Sequence, residues 1–271
     1  MEVGELLGFA AILALVGGLA GTMAGLFGIG GGAIMVPILY EGFAALGIDE
    51  SVRMHLSVGT SIAVILPTSI RSFLAHRRRG AVDMGLLRDW LLPVPIGVVA
   101  GAVAAAFIGG AGLRAIFTVF AVLFGLRFIF GGWQWRLGPD IPGQPARSIA
   151  GLGVGFLSTL MGVGGGIFTN SFMTLYGRPM LQAVATSSGV GVLISVPGAI
   201  GYVVAGWGNP EVGAYAAGFV NLLAVAVLVP ATVLMAPLGV RLAHALSRRQ
   251  LEVGFGIFLL IVAGRFAYSL I

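Results

Sequence analysis

The chain has 271 residues, 58% of them hydrophobic and 9% charged, with a mean hydropathy of +1.04. Soluble domains carry about 25% charged residues, so a water-soluble globule is excluded and a polytopic membrane protein is left, with no separate soluble domain between the spans. There is no cysteine, which removes disulfides, thiolate metal sites and thiol catalysis; all fifteen basic residues are arginine and most sit in short loops, which marks a cytoplasmic membrane face rather than a nucleic-acid surface.

About 20 apolar residues suffice to cross a bilayer as a helix. In chain order, the first half gives apolar segments at residues 5–27, 30–46, 52–75, 82–108 and 113–131. The opening MEVGELLGFA has no basic leader region and reads as the start of the first helix. Gly17, Gly21 and Gly25 are spaced four apart, as are Gly97 and Gly101, which fits close helix packing. The polar stretch WQWRLGPDIPGQPARS follows as a linker, and the second half gives segments at 149–161, 164–176, 181–205, 212–246 and 251–270.

The halves are related. SVGTSIAVILPTSI (57–70) lies over SSGVGVLISVPGAI (187–200), setting Ser57 on Ser187, Gly59 on Gly189 and Pro67 on Pro197. LRAIFTVFAVLFGLRF lies over LEVGFGIFLLIVAGRF, setting Phe117 on Phe255. Loop charges reverse between the copies. After the third segment, half one has HRRRG and half two GWGNPE; after the fourth, half one has IGGAG and half two HALSRRQ. Basic loops mark the inner face, so equivalent loops lie on opposite faces. The expected fold is all-α, with two inverted repeats of about five segments each, 8–10 membrane segments in total. The division is 1–131 for the first repeat, 132–147 for a cytoplasmic linker and 148–271 for the second repeat, with both termini external.

Each half carries a glycine run where its first two segments meet: GLFGIGGGAIMVPIL at 25–39 and TLMGVGGGIFTNSFM at 159–173. The arm 149–161 reaches only about 20 Å at ~1.5 Å per residue, short of a ~30 Å hydrocarbon core. So short an arm suggests a re-entrant hairpin with its turn inside the membrane, where irregular backbone is tolerated only against protein or a wet cavity; the residues alone leave open whether each hairpin spans or re-enters. At such a turn the N–H groups of Gly30, Gly31 and Gly32, and of Gly164, Gly165 and Gly166, lack intrahelical acceptors. Together with the helix dipole they form an anion cradle. The alternative is that the glycines only let helices approach closely. GIGGGA also fits a loose GxGxxA dinucleotide fingerprint, but that motif needs a strand–turn–helix context and the second copy breaks it.

Further donors cluster on the third segments. Ser57, Thr60 and Ser61, and then Thr186, Ser187 and Ser188, offer hydroxyls to an anion or satisfy their own helix backbone; the residues alone leave both open. Thr169 and Asn170 follow the second glycine run. Asn221 either bonds a neighbouring helix or lines the pathway. His55, near the outer mouth, is the one candidate for a coupling proton, against an ordinary structural role. Arg71, Arg114, Arg127 and Arg265 fall near helix ends, where snorkelling explains them. There is no HExxH, no GxSxG and no acidic cluster suited to a metal, so no catalytic residue and no cofactor is expected.

GIGGGAIMVPIL followed by HLSVGTS, then GVGGGIFTNSFM followed by AVATSSG, resembles the TauE/SafE family, the sulfite exporter family of multi-helix permeases, over nearly the whole chain. The resemblance implies transport of a small sulfur-containing anion, such as sulfite or an organosulfonate, across the plasma membrane. Carried over by position, the glycine runs and the hydroxyls at Thr60, Ser61, Ser187 and Ser188 would form the site. The second copy departs from the pattern, with Ser171 where the first has Pro37 and with the polar pair Thr169–Asn170. The expected mechanism is alternating access, coupled to a proton or uncoupled. The competing reading is a carrier or channel for a cation or neutral metabolite, with the hairpin carbonyls as ligands.

Overall fold

The computed structural model describes residues 11, 13–22, 32–130, 136–213, 215–245 and 248–270. Gly30 and Gly31, called as site residues above, lie outside the described residues, as does Gly25. The elements run α1 (Leu13–Thr22), α2 (Gly32–Ala45), α3 (Glu50–Arg78), α4 (Met84–Asp89), α5 (Pro93–Phe107) and α6 (Gly110–Phe130) through the first half. The second half gives α7 (Ala146–Met161), α8 (Gly166–Leu175), α9 (Met180–Ala205), a 3-10 turn at Pro210–Val212, a two-stranded ribbon of β1 (Ala216–Ala217) and β2 (Val220–Asn221), α10 (Leu222–Ala245) and α11 (Arg248–Tyr268). The fold is the expected all-α membrane architecture with almost no sheet. Among the described residues α3, α6 and α9 are long and apolar enough to cross a bilayer alone.

Local chemistry sets the helix ends. Asp49 caps α3, its side chain accepting the Ser51 N–H at 2.8 Å, and that bond holds its carboxyl below the ordinary range. His76, Arg77 and Arg78 close α3, where the helix dipole favours positive charge. The single segment read at 82–108 is two helices. Asp83 caps α4, and Pro93 restarts the chain as α5 from the first helical position that proline favours. Buried Trp90 fills the joint and donates its Nε1–H to Arg147 O at 2.8 Å. The segment read at 212–246 is also corrected: the helix starts only at Leu222. Gly213 (φ +85°) and Gly218 (φ +53°) put the preceding chain into a turn and hairpin that no helix can continue through.

The long helices α3 and α9, each with an interior proline (Pro67, Pro197), pack together at the centre. Helix α2 leans on α3 and α8 on α9; α10 packs on α3 and α5 on α9; α6 packs along α11. The glycines spaced by four do what close packing requires. A methyl at Gly97 would collide with Leu152 O, one at Gly155 with Val94 O, and one at Gly21 with the Thr232 backbone, so α5 meets α7, and α1 meets α10, backbone to backbone. The outer faces carry bare apolar side chains such as Leu92, Ile96, Phe107 and Leu123, as lipid contact requires.

Candidate functional site

The glycine run of the second half forms the turn between α7 and α8. Gly162 ends α7 in the left-handed conformation (φ +69°), and its N–H returns to Ser158 O and Thr159 O. Gly165 (φ +76°) precedes α8, and two such positive-φ positions within four residues explain why glycine stands here. Every residue from 161 to 170 is buried, so the irregular backbone lies wholly inside the protein. The tip also meets the first hairpin: a methyl at Gly32, the first residue of α2, would strike Gly162 O and Val163 Cα. The two glycine runs are therefore in contact.

The cradle is shifted by two residues from the expectation. Gly165 N–H is taken by Val163 O at 2.8 Å, so it is not a free donor. Thr169 N–H donates to Gly165 O at 2.8 Å and opens the helical ladder. The first-turn amides of Gly166, Ile167 and Phe168 are those without an acceptor inside the helix.

The polar side chains fall into two groups. Some are occupied by backbone: Ser57 Oγ donates to Arg53 O (2.8 Å), Ser61 Oγ to Gly162 O (2.9 Å), Ser187 Oγ to Val184 O (2.9 Å) and Ser188 Oγ to Ala185 O (2.6 Å). Ser61 thereby pins the second hairpin tip to α3. Thr60 Oγ1 accepts the Asn221 N–H, and Thr186 Oγ1 accepts the Asp83 N–H, each at 2.9 Å. Asn221 thus lies not deep in a span but at the start of α10, its Oδ1 accepting from Ala224 N–H (2.8 Å), as Asp83 Oδ1 accepts from Leu86 N–H (3.0 Å). The two threonines play the same part, although superposing Ser57 on Ser187 would put them out of register.

The second group has no partner. Thr169 Oγ1 and both amide atoms of Asn170 are buried without a hydrogen bond, at 0% and 3% residue exposure. Ser158 Oγ, one turn before the tip, and Ser195 Oγ on α9 are in the same condition. Buried polar groups are nearly always paired, and these four unpaired side chains all lie on α7, α8 and α9, the helices that form or flank one turn. Sequence reasoning found Thr169 and Asn170 but missed Ser158 and Ser195, because a lone serine in a membrane helix usually bonds its own backbone.

His55, at 6% exposure, places Nε2 within 3.0 Å of Ala105 O and 2.9 Å of Ile108 O at the end of α5, and its ring stacks on Phe219. Two carbonyls at Nε2 require the proton there, leaving Nδ1 unpartnered. Arg114 is a correction: it does not snorkel. It is 5% exposed, ion-paired to Glu50 and hydrogen-bonded to Tyr40 Oη at 2.6 Å, with Arg53 lying over the same tyrosine ring. The available signal was its place in the second turn of α6, near the helix end where the dipole disfavours a cation.

A helical bundle with lipid-facing sides, a broken hairpin in its core and uncharged, unpaired polar groups at the break is the build of a multi-pass membrane transporter. Residues 13–266 match the family described as Sulfite exporter TauE/SafE, and the chain belongs to that family. A probable membrane transporter protein of Haemophilus influenzae is 31% identical over 258 residues, covering 94% of this chain and 97% of that one. Similar proteins of the same description occur in Methanocaldococcus jannaschii (28% identical, 89% of each chain) and in Bacillus subtilis (YunE, 25% identical, 95% of this chain and 97% of that one). No solved structure matches.

Proposed function

We propose that this transporter moves a small anion, sulfite or an organosulfur anion, across the plasma membrane by alternating access. The observation that carries this reading is the buried start of α8, where first-turn amides, Thr169 and Asn170 converge without partners. Free helix N-terminal amides and neutral donors suit a negative ligand. Gly30, Gly31, Gly32, Gly164, Gly165 and Gly166 form the backbone of the site in this reading. The hydroxyls of Ser57, Thr60, Ser61, Thr186, Ser187 and Ser188 become donors when the helices shift.

The two halves, 1–131 and 148–271, are inverted copies joined by a cytoplasmic linker at 132–147, and both termini are external. The reversed loop charges and the matched roles of Thr60 with Thr186 and of Asn221 with Asp83 support this. His55 is the proton-coupling group, with its open Nδ1 as the acceptor. The test is flux into proteoliposomes, comparing sulfite and organosulfonates with sulfate and chloride. Saturable anion uptake, reduced by Asn170→Val, is the expected result. Uptake that follows sodium or a neutral competitor and ignores every anion overturns the reading.

A further inference from the structure

Asn170 differs from the other unpaired groups of the hairpin in one respect. A hydroxyl can turn to suit a ligand, but a carboxamide presents a donor and an acceptor on opposite sides at once. Both Nδ2 and Oδ1 lack a partner in a side chain that is 3% exposed. The assignment of the two atoms does not matter, because either flip leaves one of each unpaired. Asn170 stands one turn after Gly166 on the same helical face, and helical side chains lean toward the N-terminus. Its Cα–Cβ bond therefore tilts toward the N-terminal end of α8, where the first-turn amides lie.

The charge around it is equally specific. Residues 154–171, together with Gly32–Leu39 of α2, Thr60–Ser69 of α3 and Val190–Ser195 of α9, contain no Arg, Lys, His, Asp or Glu. None of these stretches supplies a full positive charge to offset a second negative charge taken out of water, and desolvating an unpaired charge is costly. A ligand made only of acceptor oxygens would also leave Asn170 Oδ1 unpaired, facing like partial charge. Val36, the residue at the matching position of α2, has no such demand, and its side chain packs against the Gly162 tip.

We infer that Asn170 makes this a site for a singly charged anion that carries its own hydrogen-bond donor, an O–H or N–H group beside the charged oxygens, and that doubly charged anions and donor-free monoanions are discriminated against. The inference rests on the anion reading above and narrows it. The donor of the ligand meets Asn170 Oδ1, while its charged oxygens meet Asn170 Nδ2, the Thr169 hydroxyl and the α8 amides.

The test is binding to the purified full chain in detergent, by calorimetry, with three probes: 2-hydroxyethanesulfonate, ethanesulfonate and sulfate. The first two differ by a single hydroxyl. We expect 2-hydroxyethanesulfonate to bind on the order of tenfold more tightly than ethanesulfonate, the effect of pairing one otherwise orphaned buried acceptor, with sulfate weakest. In Asn170→Val, which copies the residue of α2, that gap closes. The wild-type comparison stands alone if the variant does not fold. Equal binding of the two sulfonates, or sulfate binding most tightly, overturns the inference and leaves the anion reading standing. If none of the three binds, the inference falls, and the anion reading falls with it when sulfite also fails to bind.

Discussion

The hydroxyl oxygen of Thr60 accepts the backbone N–H of Asn221 at 2.9 Å, joining residues 161 positions apart. One helix of the first half thereby holds the starting turn of a helix in the second, and Thr186 does the same for Asp83 in the opposite sense. Replacing Thr60 with Val keeps the shape and removes the acceptor, so the buried Asn221 N–H loses its partner. The expected loss is about 1–3 kcal/mol, read as lowered thermal stability in detergent. Thr60→Ser, which keeps the oxygen, should lose much less.

The side chain of Asn221 makes a separate contribution as the cap of α10, through Ala224 N–H. Asn221→Ala should destabilise by about 1 kcal/mol, whereas Asn221→Ser, a comparable cap that carries no charge, should stay closer to wild type. Equal melting temperatures for the two variants would show that the cap contributes nothing.

Glu50 is the counter-charge of buried Arg114, but the carboxylate itself is 57% exposed. Glu50→Gln leaves the guanidinium with Tyr40 and Ser269 as its remaining partners. Because solvent screens the carboxylate, the expected cost is no more than about 1 kcal/mol at low salt, shrinking as salt rises. Arg114→Met strands no charge inside and should show no such salt dependence. Melting curves at two ionic strengths distinguish these outcomes.

Gly155 and Gly153 offer a matched pair on α7. A methyl at Gly155 would press on Val94 O, whereas one at Gly153 meets nothing within 4 Å. Gly155→Ala should cost roughly 1–3 kcal/mol as α5 and α7 are forced apart. Gly153→Ala should be neutral or stabilising, by up to about 1 kcal/mol, through helix propensity.

The helices, the second hairpin and the polar pair at Thr169–Asn170 were legible because each has a local signature: an apolar run, a glycine cluster, a polar dipeptide in an oily context. What escaped was set by distant partners. The break at Trp90 depends on Arg147 O, and the register of Thr60 with Thr186 appears only once the N–H groups they accept are located. Arg114 looked like an ordinary helix-end arginine because its partners, Tyr40, Glu50 and Ser269, come from three other elements. The start of α10 was placed too early because apolar composition runs unchanged through the ribbon, and only Gly213 and Gly218 betray the turn.

The backbone contact of α5 with α7 has a mechanical meaning. Where side chains interdigitate, rotamers can yield and absorb a displacement; where carbonyl oxygens rest on glycine α-carbons there is no such cushion. A push on α7 is handed to α5 undiminished, and a push on α10 to α1. Each of these rigid couples takes one helix from either side of the linker. The two halves of the chain are therefore locked to each other at two places, and neither couple would survive a separation of the chain at its linker.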